Sequence, residues 1–294
     1  MKNILIAGAS GYIGSKLIPA FEKNYNTFLT GHNKVLNNKI ITLDLTNNEQ
    51  VDNFVNNCTA PDSLIFLVGL AHKKGKRKDL NAFKKINYHT LKNLLSSLDR
   101  YNKTPNKIIF ASTISIYGEK FDNDMYYEDS KKSPFSPYAV TKLMAERFLL
   151  DSYADKSWIL RFAPVYSKNY RLNINRRTKI NNFYYSVGDG SSKLSLCNVN
   201  NIIFSIDCII NDKVPTGSYN ISDPVHYSYK DILNIIEAKK IIRIPTFFVK
   251  ILFSIGKNLN NIFLKENSIK LITDNIYPSE KIQEFVKLKH KLKN

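Results

Sequence analysis

With 294 residues, 43% hydrophobic and 12% aromatic, the chain can bury a full core and is not disordered by composition; it holds one α/β domain or one with a smaller appended lobe. The net charge of +18 would suit nucleic acid or an anionic surface, yet the basic residues are spread along the whole chain without a compact nucleic-acid motif, so no nucleic-acid partner is expected. Cys58, Cys197 and Cys208 are unclustered, which points to reduced thiols in a cytoplasmic protein and to no metal site; the N-terminus does not read as a signal peptide, and no apolar run is long enough to span a bilayer.

The apolar run Asn3 to Ala7 predicts a first strand. It leads into Gly8-Ala9-Ser10-Gly11-Tyr12-Ile13-Gly14 and then a helix from Ser15 to Phe21. Strand, glycine turn and helix are the context a dinucleotide-phosphate loop requires: glycines permit a tight turn and close approach, and the helix N-terminus offers unpaired N–H groups. Thr27 to Thr30 reads as a second strand, followed by Gly31-His32-Asn33-Lys34. A carboxylate that would bind free ribose hydroxyls is missing there, and His32 or Lys34 beside a 2′-phosphate would suit NADP, so NADP is favoured over NAD. Ile40 to Thr46 forms a third strand ending at Asp44-Leu45, and Ser63 to Gly69 a fourth, continuously apolar as buried parallel strands are. The basic loop Lys73 to Lys78 reads as solvated, and Leu80 to Leu98 as one long helix carrying Asn87.

Lys107 to Ala111 predicts a fifth strand, running into Ser112-Thr113-Ile114-Ser115. Hydroxyls at the C-terminal edge of a parallel strand face the ligand crevice, so Thr113 is placed to hydrogen-bond a substrate oxygen. A loop then delivers Ser136-Pro137-Tyr138-Ala139-Val140-Thr141-Lys142 at the start of an amphipathic helix. Tyr138 and Lys142 stand one turn apart on one face, where an ammonium stabilises a phenolate and lowers its pKa from about 10. Trp158 to Phe162 is a sixth strand. The alternation predicts an α/β fold, a doubly wound parallel Rossmann sheet over 1–165 with a returning segment near 195–222. Residues 166–294 form a smaller, mostly helical substrate lobe: a polar, basic stretch with Arg171, Arg176 and Arg177, a turn at Gly188 to Lys193, a strand at Gly217 to Ile221, and helices from 229 onward. The tail from Lys287 to Asn294 is basic and expected to be exposed, and a peripheral membrane contact is not expected.

Gly8-x-x-Gly11-x-x-Gly14, Asp44-Leu45, Thr113 before Tyr117-Gly118, Tyr138-x-x-x-Lys142 and Arg161-Phe162-Ala163-Pro164-Val165-Tyr166 occur in this order. Together they make the chain, to about residue 225, resemble an extended short-chain dehydrogenase/reductase of the NAD-dependent epimerase/dehydratase type. The resemblance implies that Tyr138 is the acid/base at a sugar hydroxyl, that Lys142 tunes it and bonds the nicotinamide ribose, and that Thr113 holds the reacting oxygen. It implies that Gly8, Ser10, Gly11, Tyr12, Ile13 and Gly14 cradle the pyrophosphate, that Asp44 and Leu45 bracket the adenine, and that His32, Val68, Gly69, Leu70 and Asn87 lie along the cofactor. Pro164 and Val165 would meet its nicotinamide end. The implied substrate is a nucleotide-linked sugar, often with UDP, contacted by Ala71, Thr113 and Ile114, with Arg176, Arg177 and Lys193 as candidates for its diphosphate.

Dehydratases of this family carry an Asp-Glu pair directly after the active-site Thr, whereas Ile114-Ser115 follow Thr113. That leaves redox at one carbon, as a 4-epimerase or 4-ketoreductase, in a branch that resembles enzymes of bacterial surface-polysaccharide sugars. Relatives commonly form homodimers through a four-helix bundle. The alternative from another class is a non-catalytic dinucleotide sensor or scaffold on the same fold; an intact Tyr, Lys and Thr set argues against it.

Overall fold

In the computed structural model, which describes residues 1–32, 39–70, 79–118 and 125–293, the first apolar run forms β1 (Asn3–Ala7) and the glycine turn opens α1 (Tyr12–Phe21). There follow β2 (Asn26–Gly31), β3 (Ile40–Thr42), α2 (Asn48–Asn57), β4 (Ser63–Phe66), α3 (Leu80–Lys84), α4 (Thr90–Arg100), β5 (Lys107–Thr113), α5 (Pro137–Ser152) and β6 (Ser157–Phe162). With the strand Gly217–Ile221 they make a seven-stranded sheet in the order Gly217–Ile221, β6, β5, β4, β1, β2, β3. β1 pairs in parallel with both β2 and β4, and β4 with β5. The expected Rossmann sheet is present, and its order reverses between β1 and β4, the switch point beside which such sheets bind ligands.

The chain divides into two compact units. Unit 1 comprises Met1–Thr113, Ser136–Leu160 and Ile206–Ser218. Its core sets Leu5, Leu64, Phe66, Ile108 and Phe110 of the strands against Val51 and Val55 of α2 and Leu91, Leu94, Leu95 and Leu98 of α4. The α4 leucines recur at helical spacing, so one face of that helix is wholly apolar. Each such side chain contributes about 1.5–3 kcal/mol on burial.

Unit 2 comprises Ile114–Phe135, Arg161–Ser205 and Tyr219–Asn294. Its core includes Tyr117, Tyr126 and Tyr277, whose rings pack with centroids 5.4 to 5.8 Å apart. Helices run over Leu172–Thr178, Tyr229–Ile235, Thr246–Asn258 and Ile262–Ile272. Leu288 is buried, and beyond it the backbone N–H groups of His290 and Leu292 donate to Asn201 and Tyr227. The tail is therefore not freely exposed, although Lys287, Lys289 and Lys291 face solvent.

Several elements differ from the sequence expectation for local reasons. The third strand stops at Thr42, because the Asp44 carboxylate accepts from the N–H and hydroxyl of Thr46 and turns the chain. The long helix is interrupted by a π-helical turn at Lys85–His89. The basic stretch after Tyr166 holds a helix and a hairpin, Lys179–Ile180 with Phe183–Val187, to which Ile242–Ile244 adds a parallel strand.

Candidate active site

At the end of β1 the N–H groups of Gly8 and Ala9 both donate to the Thr30 carbonyl, at 3.0 and 2.9 Å, and Gly11 N–H closes the turn onto Gly8 O at 3.0 Å. Gly8 has φ +89°, a left-handed conformation that favours glycine. A Cβ on Gly14 would fall 2.6 Å from the carbonyl oxygens of both Gly8 and Ala9, so only glycine lets α1 start flush against the loop. Gly11 caps α1 without a side chain, and the first turn carries no acidic residue. The positive end of the helix is thus left for an anion, which fits a dinucleotide pyrophosphate. Ser10, Tyr12 and Ile13 complete the loop; a Cβ on Gly31, at the end of β2, would lie 2.7 Å from Ser10 Oγ. His32 is exposed. Lys34, Ala71 and the basic loop 73–78 lie outside the described residues.

Asp44 is held below the usual carboxylate range, chiefly by the two bonds from Thr46, and Asn93 donates to the Leu45 carbonyl at 3.1 Å. Past β4, the segment Val68, Gly69 and Leu70 is fixed by Asn87, which is fully buried in the π-helical turn. Its Oδ1 accepts from Leu70 N–H at 2.7 Å and its Nδ2 donates to Thr141 Oγ1 at 3.0 Å. π-Helical turns displace side chains from the regular helical stripe, and here the displaced residue braces the end of β4 to α5.

Ser136 caps α5 and Pro137 occupies its first turn, the arrangement that starts a helix at a fixed residue. Tyr138 and Lys142 then share a face. Lys142 is buried, with Nζ donating to Ala111 O at 2.8 Å and Val68 O at 3.3 Å and lying 4.6 Å from the centroid of the Phe110 ring. Burial pushes its pKa down to about 7, while the Glu146 carboxylate one turn along opposes that fall. Glu146 is itself buried and accepts from the Ser112 hydroxyl. A Cβ on Gly69 would lie 3.1 Å from Lys142 Nζ and 3.3 Å from Asn87 Oδ1, so the lack of a side chain there makes room for the ammonium.

Desolvation raises the Tyr138 phenol to about 12, and its hydrogen bond with Thr113 pulls the other way. The depressed phenol expected from a lysine one turn away is not what its surroundings give: burial is the largest influence on the phenol and raises it. Unit 1 thus brings together Thr113, Tyr138, Lys142, Asn87 and the glycine loop's neighbours at the C-terminal edge of its strands. Glu146, Ser112, Thr141 and the Ala111 carbonyl were not singled out from the sequence. The Lys142–Glu146 spacing of four was a signal that could have found Glu146.

Unit 2 holds a cavity lined by Ile114, Pro164, Arg177, Leu194, Ser195, Tyr229, Lys270, Asn275 and Tyr277. Among the sequence candidates Ile114, Pro164 and Arg177 line it, whereas Arg176 and Lys193 are exposed outside the lining and Val165 pairs with Cys197. Lys270, a cation that no motif marks, joins Arg177 there.

A family model described as the NAD dependent epimerase/dehydratase family matches residues 4–222. An uncharacterized UDP-glucose epimerase of Bacillus subtilis (strain 168), YtcB, is 31% identical over 185 residues, which span 57% of this chain and 58% of that relative's length. The fold is similar to that of the UDP-Glc/GlcNAc 4-epimerase of Campylobacter jejuni, with TM-score 0.77 and 19% identity over 100% of this chain and 96% of that one. It is also similar to a UDP-glucuronic acid 4-epimerase of Bacillus cereus in complex with UDP-glucuronic acid and NAD, with TM-score 0.73 and 20% identity over 99% of this chain and 95% of that one.

Proposed function

The chain belongs to the NAD-dependent epimerase/dehydratase family of extended short-chain dehydrogenases, and from that premise we propose that it is a 4-epimerase moving a hydride at C4 of a UDP-linked sugar destined for surface polysaccharide. The observation that carries this reading is the set Tyr138, Thr113 and Lys142 held on α5 and at the end of β5. A nicotinamide dinucleotide supplies the hydride acceptor. Gly8, Gly11 and Gly14 would hold its pyrophosphate on the N-terminus of α1, and Asp44 and Leu45 would flank its adenine.

The roles of the chain's own groups follow from their environments. Tyr138, protonated at neutral pH, donates its proton to a C4 oxygen when a ketone is reduced. In the reverse half, it accepts that proton, and the phenolate is stabilised by Lys142 in its charged form. Glu146 favours that charged form, and Ala111 O and Val68 O fix the ammonium's position. Thr113 orients the phenol. With Ile114-Ser115 after Thr113, no acidic pair is available there to eliminate water. Within unit 2, Arg177 and Lys270 line one cavity, where two cations suit an anionic group.

A 4-ketoreductase using NADPH is the second reading, favoured by Gly31-His32 where a ribose-binding carboxylate is absent. Mass spectrometry of the dinucleotide released on denaturing the purified protein separates the two. Retained NAD supports the epimerase, which returns its hydride to the same sugar; an empty site that binds NADPH supports the reductase, which exchanges its cofactor each turnover. Failure to bind either dinucleotide overturns both.

A further inference from the structure

The helix Thr246–Asn258 in unit 2 is apolar along most of its length, yet only Val249 and Gly256 on it are buried. Val249 packs with Tyr185 and Val187 of the neighbouring sheet. A Cβ on Gly256 would lie 2.8 Å from the backbone of Lys265, so that side is closed by the helix Ile262–Ile272. The outer side is uncovered: Phe247 is 66% exposed, Phe248 57% and Leu259, just past the helix, 71%, with Ile251, Leu252 and Ile255 exposed between them. At about 100° per residue these six side chains lie in one arc of about 140°, an apolar face interrupted by Asn258 in its last turn.

Along the chain, the stretch between Glu237 and Glu266 is basic throughout. From Ala238 to Lys265 the chain carries Lys239, Lys240, Arg243, Lys250, Lys257 and Lys265 and no acidic residue. Lys250 and Lys257 lie beside the apolar arc, where long stems let the ammonium groups reach outward. An isologous contact with a second copy would set these cations against their own kind. A bilayer surface with anionic headgroups offsets them while its acyl boundary receives the apolar arc. The helix is about 20 Å long, short of the ~30 Å hydrocarbon core, and no helix among the described residues is long and apolar enough to cross a membrane.

We propose that the helix Thr246–Asn258 lies in the plane of an anionic membrane surface and docks the protein there as a peripheral protein. The test is co-sedimentation of the full chain with vesicles of phosphatidylglycerol and phosphatidylcholine, against vesicles of phosphatidylcholine alone. Binding should be at least about tenfold tighter to the anionic vesicles and should weaken with salt. Phe248→Ser with Leu252→Ser and Leu259→Ser should lower it about tenfold, as should Lys250→Glu with Lys257→Glu, with the thermal transition and turnover of both variants unchanged. Absence of binding, or equal binding by wild type and both variants, overturns the proposal. So does a wild-type dimer in sedimentation equilibrium that the serine variant converts to monomer while neither protein binds vesicles, since a second copy would then cover the face.

Discussion

Lys142 Nζ donates to the carbonyl oxygen of Ala111 at 2.8 Å, so the backbone of β5 holds the ammonium on α5 while the Glu146 carboxylate favours its charge. Burial takes its pKa down to about 7, near neutrality. If its charge supports the Tyr138 phenolate, kcat/KM should fall as the pH rises through about 7, and this limb should vanish in Lys142→Met, with turnover down about 10²–10⁴-fold. A pH profile of kcat/KM for both proteins checks this.

Glu146 raises the Lys142 pKa against desolvation. Glu146→Gln removes that support, so the descending limb should move to lower pH. The residue acts through Lys142, and a purely structural role would lower stability without moving the limb.

Gly69 leaves 3.1 Å between a would-be Cβ and Lys142 Nζ. Gly69→Ala should displace the ammonium and reduce kcat. Gly14→Ala, whose Cβ would meet two carbonyl oxygens at 2.6 Å, should instead weaken dinucleotide binding by more than about tenfold, since the loop must open. Cofactor titration beside steady-state kinetics separates the two effects.

Asn87 bridges Leu70 N–H and Thr141 Oγ1. Asn87→Ala removes both bonds, Thr141 keeping its bond to Pro137 O, and should cost about 1 kcal/mol in urea unfolding. Asn87→Asp keeps the acceptor for Leu70 while losing the donor to Thr141, and should unfold at lower urea than wild type.

Asp223 in unit 2 accepts from Tyr166, Tyr227, Asn201 and the Asn198 backbone, yet burial raises its pKa from 3.8 to about 6. Between these values the folded chain binds more protons than the unfolded one, so this group's contribution to stability is largest below about pH 4 and is lost as the pH rises through about 6. Asp223→Asn should flatten that part of the stability curve, measured by thermal unfolding across pH 4 to 7.

The readable part of the site was the local part. The glycine turn and the Tyr138–Lys142 spacing are set by neighbours in the chain, and the strand–helix alternation carried the sheet. What the sequence concealed depends on distant partners or on burial. Nothing around Asn87 announces a π-helical turn bracing Thr141, and the phenol's raised pKa follows from desolvation that a spacing rule omits. The strands Phe183–Val187 and Ile242–Ile244 exist because they pair with each other across a long stretch of chain; the first shows no clean alternation and the second is only three residues long. Lys270 was one basic residue among many until the fold placed it with Arg177.

The most direct test is to incubate the protein and Tyr138→Phe with UDP-hexoses and read the configuration at C4 by NMR. The account predicts a C4-inverted product from the wild type and none from Tyr138→Phe, which should still bind the dinucleotide. Undiminished turnover by Tyr138→Phe, or a wild-type product altered at a carbon other than C4, would contradict it.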